Sequence, residues 1–284
     1  MRLESASFFE SFNRNIKKAK SFTLTGLTTF SRLLLLNEIS KLSNKKVLFI
    51  TSTEQAALKY SADIERLFDK YAETIPYQNT SPYETVNPSF YDYQKQISIL
   101  LKSPEIVIAP VKVLLEKFPK RNFFDKNSFT LKIGDSISQK ELLKKLSGMG
   151  YKRSTMVSDI GEFSIRGDIA DIYTLEEAPT RVEFWGDEIV DIRFFNNETQ
   201  KSVEKITQIN IKPLYKFILP NEVPKEFSSD LKAQYINERY FEGVNVYQSY
   251  FNLDLGSIFD YFSDYIIVFD EFDTLSKKKL SVNT

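Results

Sequence analysis

The stretch 161–195 reads GEFSIRGDIADIYTLEEAPTRVEFWGDEIVDIRFF and constrains the fold more than any other part of the chain. Phe163 and Ile165, then Ile169 and Ile172, alternate roughly with polar or small residues, and Arg166-Gly167-Asp168 interrupts them. Arg181-Val182-Glu183-Phe184-Trp185 alternates again, Gly186-Asp187 offers a tight turn, and 188–194 returns with Ile189 and Ile192. Period-two alternation about a Gly-containing pair is a hairpin signal, because glycine supplies the positive φ that two-residue turns need. The expectation is a small antiparallel sheet with one buried face.

Upstream the pattern is different. Residues 3–18 carry Phe8, Phe9, Phe12 and Ile16 at helical spacing. A short strand at 22–25 is followed by Gly26 and a helix over 30–42, and KVLFIT at 46–51 is the apolar run of a buried parallel strand. Ser52 or Thr53 can cap a helix bearing Ala57, Leu58, Ile64, Leu67 and Phe68. Pro76, Pro82 and Pro88 make 74–88 a loop. A helix at 91–101, a strand at 105–109, and a helix over 111–118 with Pro110 at its first position complete an alternation of strand and helix. That alternation predicts a parallel sheet between helices. After 124 it stops: a strand at 128–133, a helix at 139–147, the hairpins, and a strand at 206–211 read as a compact α+β domain. Beyond 214, 222–238 is polar and helical in part, while 244–250 and 265–269 are strands able to rejoin the first sheet. The expected fold is therefore α/β, with residues 1–124 and 214–284 as one discontinuous domain and 125–213 inserted into it.

Composition narrows the chemistry. The 284 residues include no Cys and no His, which removes disulfides, thiolate chemistry and the commonest metal ligand and general base. The 38 basic and 38 acidic residues balance, so no global field drives the chain onto nucleic acid or an anionic membrane. No apolar run reaches the roughly 20 residues of a membrane span, and 1–20 has no signal-peptide core, so a cytoplasmic protein is expected. Lys17-Lys18-Lys20, Lys144-Lys145 and Lys277-Lys278-Lys279 read as solvated faces. Asp168 and Asp171 read as turn and edge residues, and no catalytic or metal-binding constellation emerges.

A phosphate loop would sit between the 22–25 strand and the helix that follows. Its chemistry needs GxxxxGK[ST]: glycines that let N–H groups close on phosphate, a lysine for the charge and a hydroxyl for Mg²⁺. The run here is Gly26-Leu27-Thr28-Thr29-Phe30-Ser31-Arg32-Leu33. Ser31 replaces the second glycine, Arg32 the lysine and Leu33 the metal ligand, while Phe30 crowds the cradle. An ordinary strand-to-helix turn explains it as well. YIIVFDE at 265–271 has the form of a strand ending in the two carboxylates of an ATPase, Asp270 and Glu271. Without the lysine and hydroxyl they have nothing to act on, and an architectural remnant is expected.

Arg181 and Trp185 stand four apart on one strand and so share a face, and Arg166 lies on a strand that can pair beside them. An exposed Trp beside two guanidiniums has the composition of a binding hot spot. Equally, Trp185 can pack into the core while the arginines reach past it to water.

"GEFSIRGDIADIY", "RVEFWGDEI" and "IRFFNNETQ", in that order, resemble the second domain shared by the excision-repair protein UvrB and the transcription-repair coupling factors. "PYQNTSPYETVNPS", "IVIAPVKVLL" and the lost phosphate loop favour the coupling factors, since UvrB retains the motif and inserts a long DNA-probing hairpin. The resemblance implies a P-loop-NTPase-like parallel-sheet domain, degenerate and UvrB-like, with a small inserted α+β domain. It implies an N-terminal docking module without ATPase activity, cofactor or metal. At the matching positions two arginines and an aromatic capture UvrA, which assigns that role to Arg166, Arg181 and Trp185. RNA polymerase and duplex DNA are then partners of further domains that follow in the family's full-length proteins, and no membrane is involved. The alternative is an ATP- and DNA-binding module of UvrB type.

Overall fold

The apolar run near residue 50 forms the Val47–Thr51 strand, all five of whose residues are buried. Burial on both faces is what a parallel strand covered by helices requires. In the computed structural model the described residues are 12, 21, 23–78, 90–175, 178–220, 222–241, 243–244, 247, 251 and 254–271. They fall into two compact units. One is drawn from Met1–Tyr77, Ser103–Glu116 and Tyr261–Thr284, the other from Gln78–Lys102 and Lys117–Asp260.

In the first unit, Val47–Thr51 pairs in parallel with Ile266–Phe269 on one side and Ile106–Pro110 on the other, and Glu73–Thr74 pairs beyond the latter. Two helices, Thr29–Ser43 and Glu54–Phe68, stand beside the sheet. Threonines cap both: the Thr53 hydroxyl accepts from Ala56 N, as the sequence suggests, and the Thr28 hydroxyl from Ser31 N. Leu33, Leu36, Ile39, Val47, Phe49, Ala57, Ile64 and Ile108 form one apolar cluster, and Phe12 joins it at 2% exposure.

Some expectations are corrected here. Residues 23–25 are exposed and belong to no strand, because both edges of Val47–Thr51 are already taken. Pro110 ends its strand instead of opening a long helix, and only a 3-10 turn, Val111–Leu115, follows. The strand expected at 265–269 does join the first sheet, but Val244 and Tyr247 lie in helical turn, and the rest of 244–250 falls outside the described residues. Apart from Phe12, the amphipathic stretch at 3–18 lies outside the described residues, as do most of 74–88 and the lysine runs at 17–20 and 277–279.

The second unit holds a six-stranded sheet. Lys152–Arg153 and Glu162–Arg166 are parallel neighbours, and Ile169–Ile172, Thr180–Trp185, Glu188–Phe195 and Ser202–Ile206 follow antiparallel in chain order. Two identical Gly-Asp pairs make the tight reversals. Gly167 has φ +56 and Gly186 φ +63, and a Cβ at either would meet nothing within 4 Å, so the backbone angle alone calls for glycine. Phe163, Ala170, Ile172, Val182, Phe184, Ile189 and Ile192 are buried along the apolar side. Phe129–Lys132 pairs antiparallel with Gln208–Ile211, which closes this segment on itself. The Gln139–Gly148 helix, capped by Ser138, buries Leu142 and Leu146.

The units divide the chain differently from the expected domains of 1–124 with 214–284 and 125–213. The Phe90–Lys102 helix belongs to the second unit, where Gln94 Nε2 donates to Ile160 O at 3.4 Å and Ser98 Oγ to Leu175 O at 3.2 Å. Residues 215–260 remain there too. Lys216, 1% exposed, donates from Nζ to Gln96 Oε1 and lies over the rings of Tyr93 and Phe118, 5.0 and 4.5 Å from their centroids.

Candidate functional site

The sheet of the second unit has a polar face, and the pairing register orders it into rows. Ser164, Asp171, Arg181, Arg193 and Lys205 stand in one row, each directly opposite the next. Arg166, Ile169, Glu183 and Asp191 form the neighbouring row, and Trp185 opposite Glu188 forms a third. Arg166, Arg181 and Trp185 thus share one face, as the spacing predicts.

Their exposures differ. Trp185 is 81% exposed, so it is no core residue. The Arg166 side chain is half exposed, at 53%, whereas that of Arg181 is 16% exposed. The buried partner between them is Asp171, which is no edge residue: its side chain is 1% exposed. Arg181 approaches it with a fork, Nε to Oδ1 at 2.7 Å and Nη2 to Oδ2 at 2.9 Å, and Arg166 Nη2 adds a third bond to Oδ2 at 3.0 Å. Hydrogen bonding to Asp171 raises the Arg181 guanidinium further above its ordinary range. Arg181 also lies 4.8 Å above the Phe195 ring and donates from Nη1 to Gln200 O at 3.4 Å. Two loops cover this end of the face: Gln200 Nε2 donates to Val157 O, Asn197 Nδ2 to Ser158 O, and Ser164 Oγ to Thr155 O. They remove Asp171 from water. Asp168 keeps its expected turn position, its carbonyl accepting from Phe184 N at 2.8 Å.

Arg181 and Arg193 face each other directly in the register, a like-charge pair that costs stability unless each is neutralised. Each turns to its own carboxylates. Arg193 pairs with Glu183 and, at 3.3 Å, with Asp191, and Lys205 Nζ reaches Asp191 at 2.9 Å. Two ion-pair clusters result, Arg166 and Arg181 on Asp171, and Arg193 and Lys205 on Glu183 and Asp191. Sequence spacing alone missed this lattice, because it depends on which residues lie opposite across strands.

The residues at the expected phosphate-loop and carboxylate positions gather only in part. Arg32 Nη1 lies 2.7 Å from Asp270 Oδ1 and Nη2 3.0 Å from Glu271 Oε1, while Tyr60 Oη donates to Asp270 Oδ2 at 3.1 Å. The guanidinium therefore sits between the two carboxylates. Burial opposes the Arg32 charge, but its hydrogen bonds to Tyr60 and Glu271 and the field of Asp270 outweigh it and hold the group protonated. Burial pushes the Asp270 carboxyl above its usual range, and Arg32 opposes that push without cancelling it. Gly26, with φ +74, is in the preceding turn, Ser31 shares the capping contact with Thr28, and Leu33 is buried in the core cluster. Phe30 does not crowd a cradle: it is 51% exposed. Among the described residues no group of three or more His, Cys, Asp or Glu could hold a metal ion, and no helix is long and apolar enough to cross a membrane.

Residues 129–217, which contain the whole polar face, match the family model described as the UvrB interaction domain. Along its full length the chain is similar to the transcription-repair-coupling factors. It is 28% identical to that of Staphylococcus aureus (strain bovine RF122 / ET3-1) over 314 aligned residues, which cover 99% of this chain and 27% of the relative. The transcription-repair-coupling factor of Staphylococcus haemolyticus (strain JCSC1435) is 27% identical over 299 residues, covering 93% of this chain and 25% of the relative. The chain thus spans about a quarter of the length of the curated relatives it matches.

Proposed function

We propose that this chain is a UvrA-docking module of a transcription-repair coupling factor, one that brings excision repair to stalled RNA polymerase. The observation that carries the reading is Trp185, 81% exposed on the face it shares with Arg166 and Arg181, inside the segment that matches the UvrB interaction domain. A large aromatic left in water beside guanidiniums is the composition of an interface anchor. Contacts with RNA polymerase and duplex DNA belong, on this reading, to the remainder of the coupling factor, and the module works in the cytoplasm.

The first unit then serves as a UvrB-like, phosphate-loop-derived scaffold that does no nucleotide chemistry. Arg32 supports this: an arginine bonded to both Asp270 and Glu271 supplies internally the positive charge that a nucleotide site takes from lysine and Mg²⁺. The experiment is a pull-down of the cognate UvrA by the purified chain, with the Trp185→Ala variant beside it. Retention of UvrA by the wild type and loss by the variant is expected. Equal retention, or none by the wild type, contradicts the reading.

A further inference from the structure

On the polar face Asp171 is a carboxylate almost wholly removed from water, and it receives three N–H groups from two arginines. A buried carboxylate in that position does more than balance charge: it decides how each guanidinium is presented. We propose that Asp171 is the positioning residue of the docking face, fixing Arg181 as an internal strut and orienting Arg166 towards an acidic group of UvrA. This rests on the reading of the face as the UvrA-docking surface.

The division of labour follows from the donors. Arg181 commits one edge of its guanidinium, Nε and Nη2, to Asp171, and Nη1 faces the Gln200 carbonyl. With its plane over Phe195 and 16% of its side chain exposed, it has little left to offer. Arg166 commits a single N–H of Nη2. Among the described residues its Nε and Nη1 meet no acceptor, and its side chain is half exposed. Because Arg181 takes two of the three bonds to the one carboxylate they share, Arg166 is the less compensated of the two arginines. The planar group that fits its free edge is a second carboxylate, taken as a bidentate pair. In the register Arg166 lies opposite Ile169, which lies opposite Glu183, and Trp185 follows two residues on. That puts Arg166 about 10 Å across and Trp185 about 7 Å along from one another's rows. A partner surface presenting an acidic side chain next to an apolar one would meet both.

Calorimetric titration of the whole chain with UvrA tests this. Arg166→Ala and Asp171→Asn are each expected to weaken binding about tenfold. The double variant is expected to weaken it about tenfold as well, not hundredfold, because Asp171 acts through Arg166. Arg166→Lys keeps the charge but not the fork, and should lose nearly as much as Arg166→Ala. A cooperatively folded Asp171→Asn protein that binds as tightly as the wild type or tighter, losses that multiply in the double variant, or wild-type affinity in Arg166→Lys would each overturn the proposal. If Asp171→Asn does not fold, the Arg166→Lys result decides. Wild-type affinity in both Trp185→Ala and Arg166→Ala contradicts the docking reading itself. Weakening by these two, with Asp171→Asn folded and unaffected, removes only the positioning role.

Discussion

Arg32 Nη1 lies 2.7 Å from Asp270 Oδ1, which ties the first turn of the Thr29–Ser43 helix to the end of the Ile266–Phe269 strand. The two residues are 238 positions apart in the chain. A guanidinium seated between Asp270 and Glu271 neutralises both acids from within the chain.

The first prediction is that ATP with Mg²⁺ produces no binding heat and no turnover with this chain. The lysine and hydroxyl are replaced by Arg32 and Leu33, and Leu33 is buried in the core at 2% exposure. Micromolar affinity in calorimetry, or phosphate release that Asp270→Ala abolishes, would contradict it.

Arg32→Ala should destabilise the first unit by about 1–3 kcal/mol, the cost of leaving a largely buried carboxylate short of its charged partner. The Asp270 side chain is 12% exposed, and burial already pushes its carboxyl upward. The double variant with Asp270→Asn should recover part of the loss. Denaturant unfolding measures both, and a single variant as stable as the wild type would refute the estimate.

A pH dependence follows from Glu105. Its carboxyl is held below the ordinary value of 4.5 by hydrogen bonds from Ser40 and from Lys70, against burial. A depressed carboxyl contributes stability that is present above its unfolded value and lost as pH falls through the folded one. Glu105→Gln should therefore lower the melting temperature slightly at pH 7, and the difference should shrink as the pH falls below 4.5 and vanish below the folded value. The group is half exposed, so the effect is small and salt-sensitive. A difference that grows on acidification would contradict the assignment.

The two faces of the Thr180–Trp185 strand should respond oppositely to truncation. Trp185→Ala should leave stability within about 0.5 kcal/mol of the wild type, because the ring stands in water. Phe184→Ala, one residue away and 3% exposed, should cost about 3–5 kcal/mol. Arg181→Ala falls between, at about 2 kcal/mol, since Asp171 then keeps only Arg166. Chemical denaturation of the three variants checks the order.

The strands and caps were legible because their signals are local. Val47–Thr51 is an almost continuous apolar run, Thr53 caps the helix it precedes, and the Gly-Asp pairs mark both tight turns. The face shared by Arg181 and Trp185 followed from strand period alone. The burial of Asp171 did not, since it depends on loops contributed by Val157 and Gln200, and alternation says nothing about what covers a polar face. Lys216 was equally hidden: a lysine is read as exposed unless its partners are known, and Gln96 lies 120 positions away. Residues 23–25 have strand-like side chains but no free neighbour beside Val47–Thr51, and pairing outweighs propensity.

The central claim is that the face around Trp185 captures UvrA. The most direct measurement is the affinity of the whole chain for UvrA before and after Trp185→Ala, with melting curves recorded on both proteins. A buried aromatic anchor typically contributes about 2 kcal/mol or more, so a loss of about thirtyfold or greater, with an unchanged cooperative melt, is the predicted result. Equal affinities for the two folded proteins would contradict it.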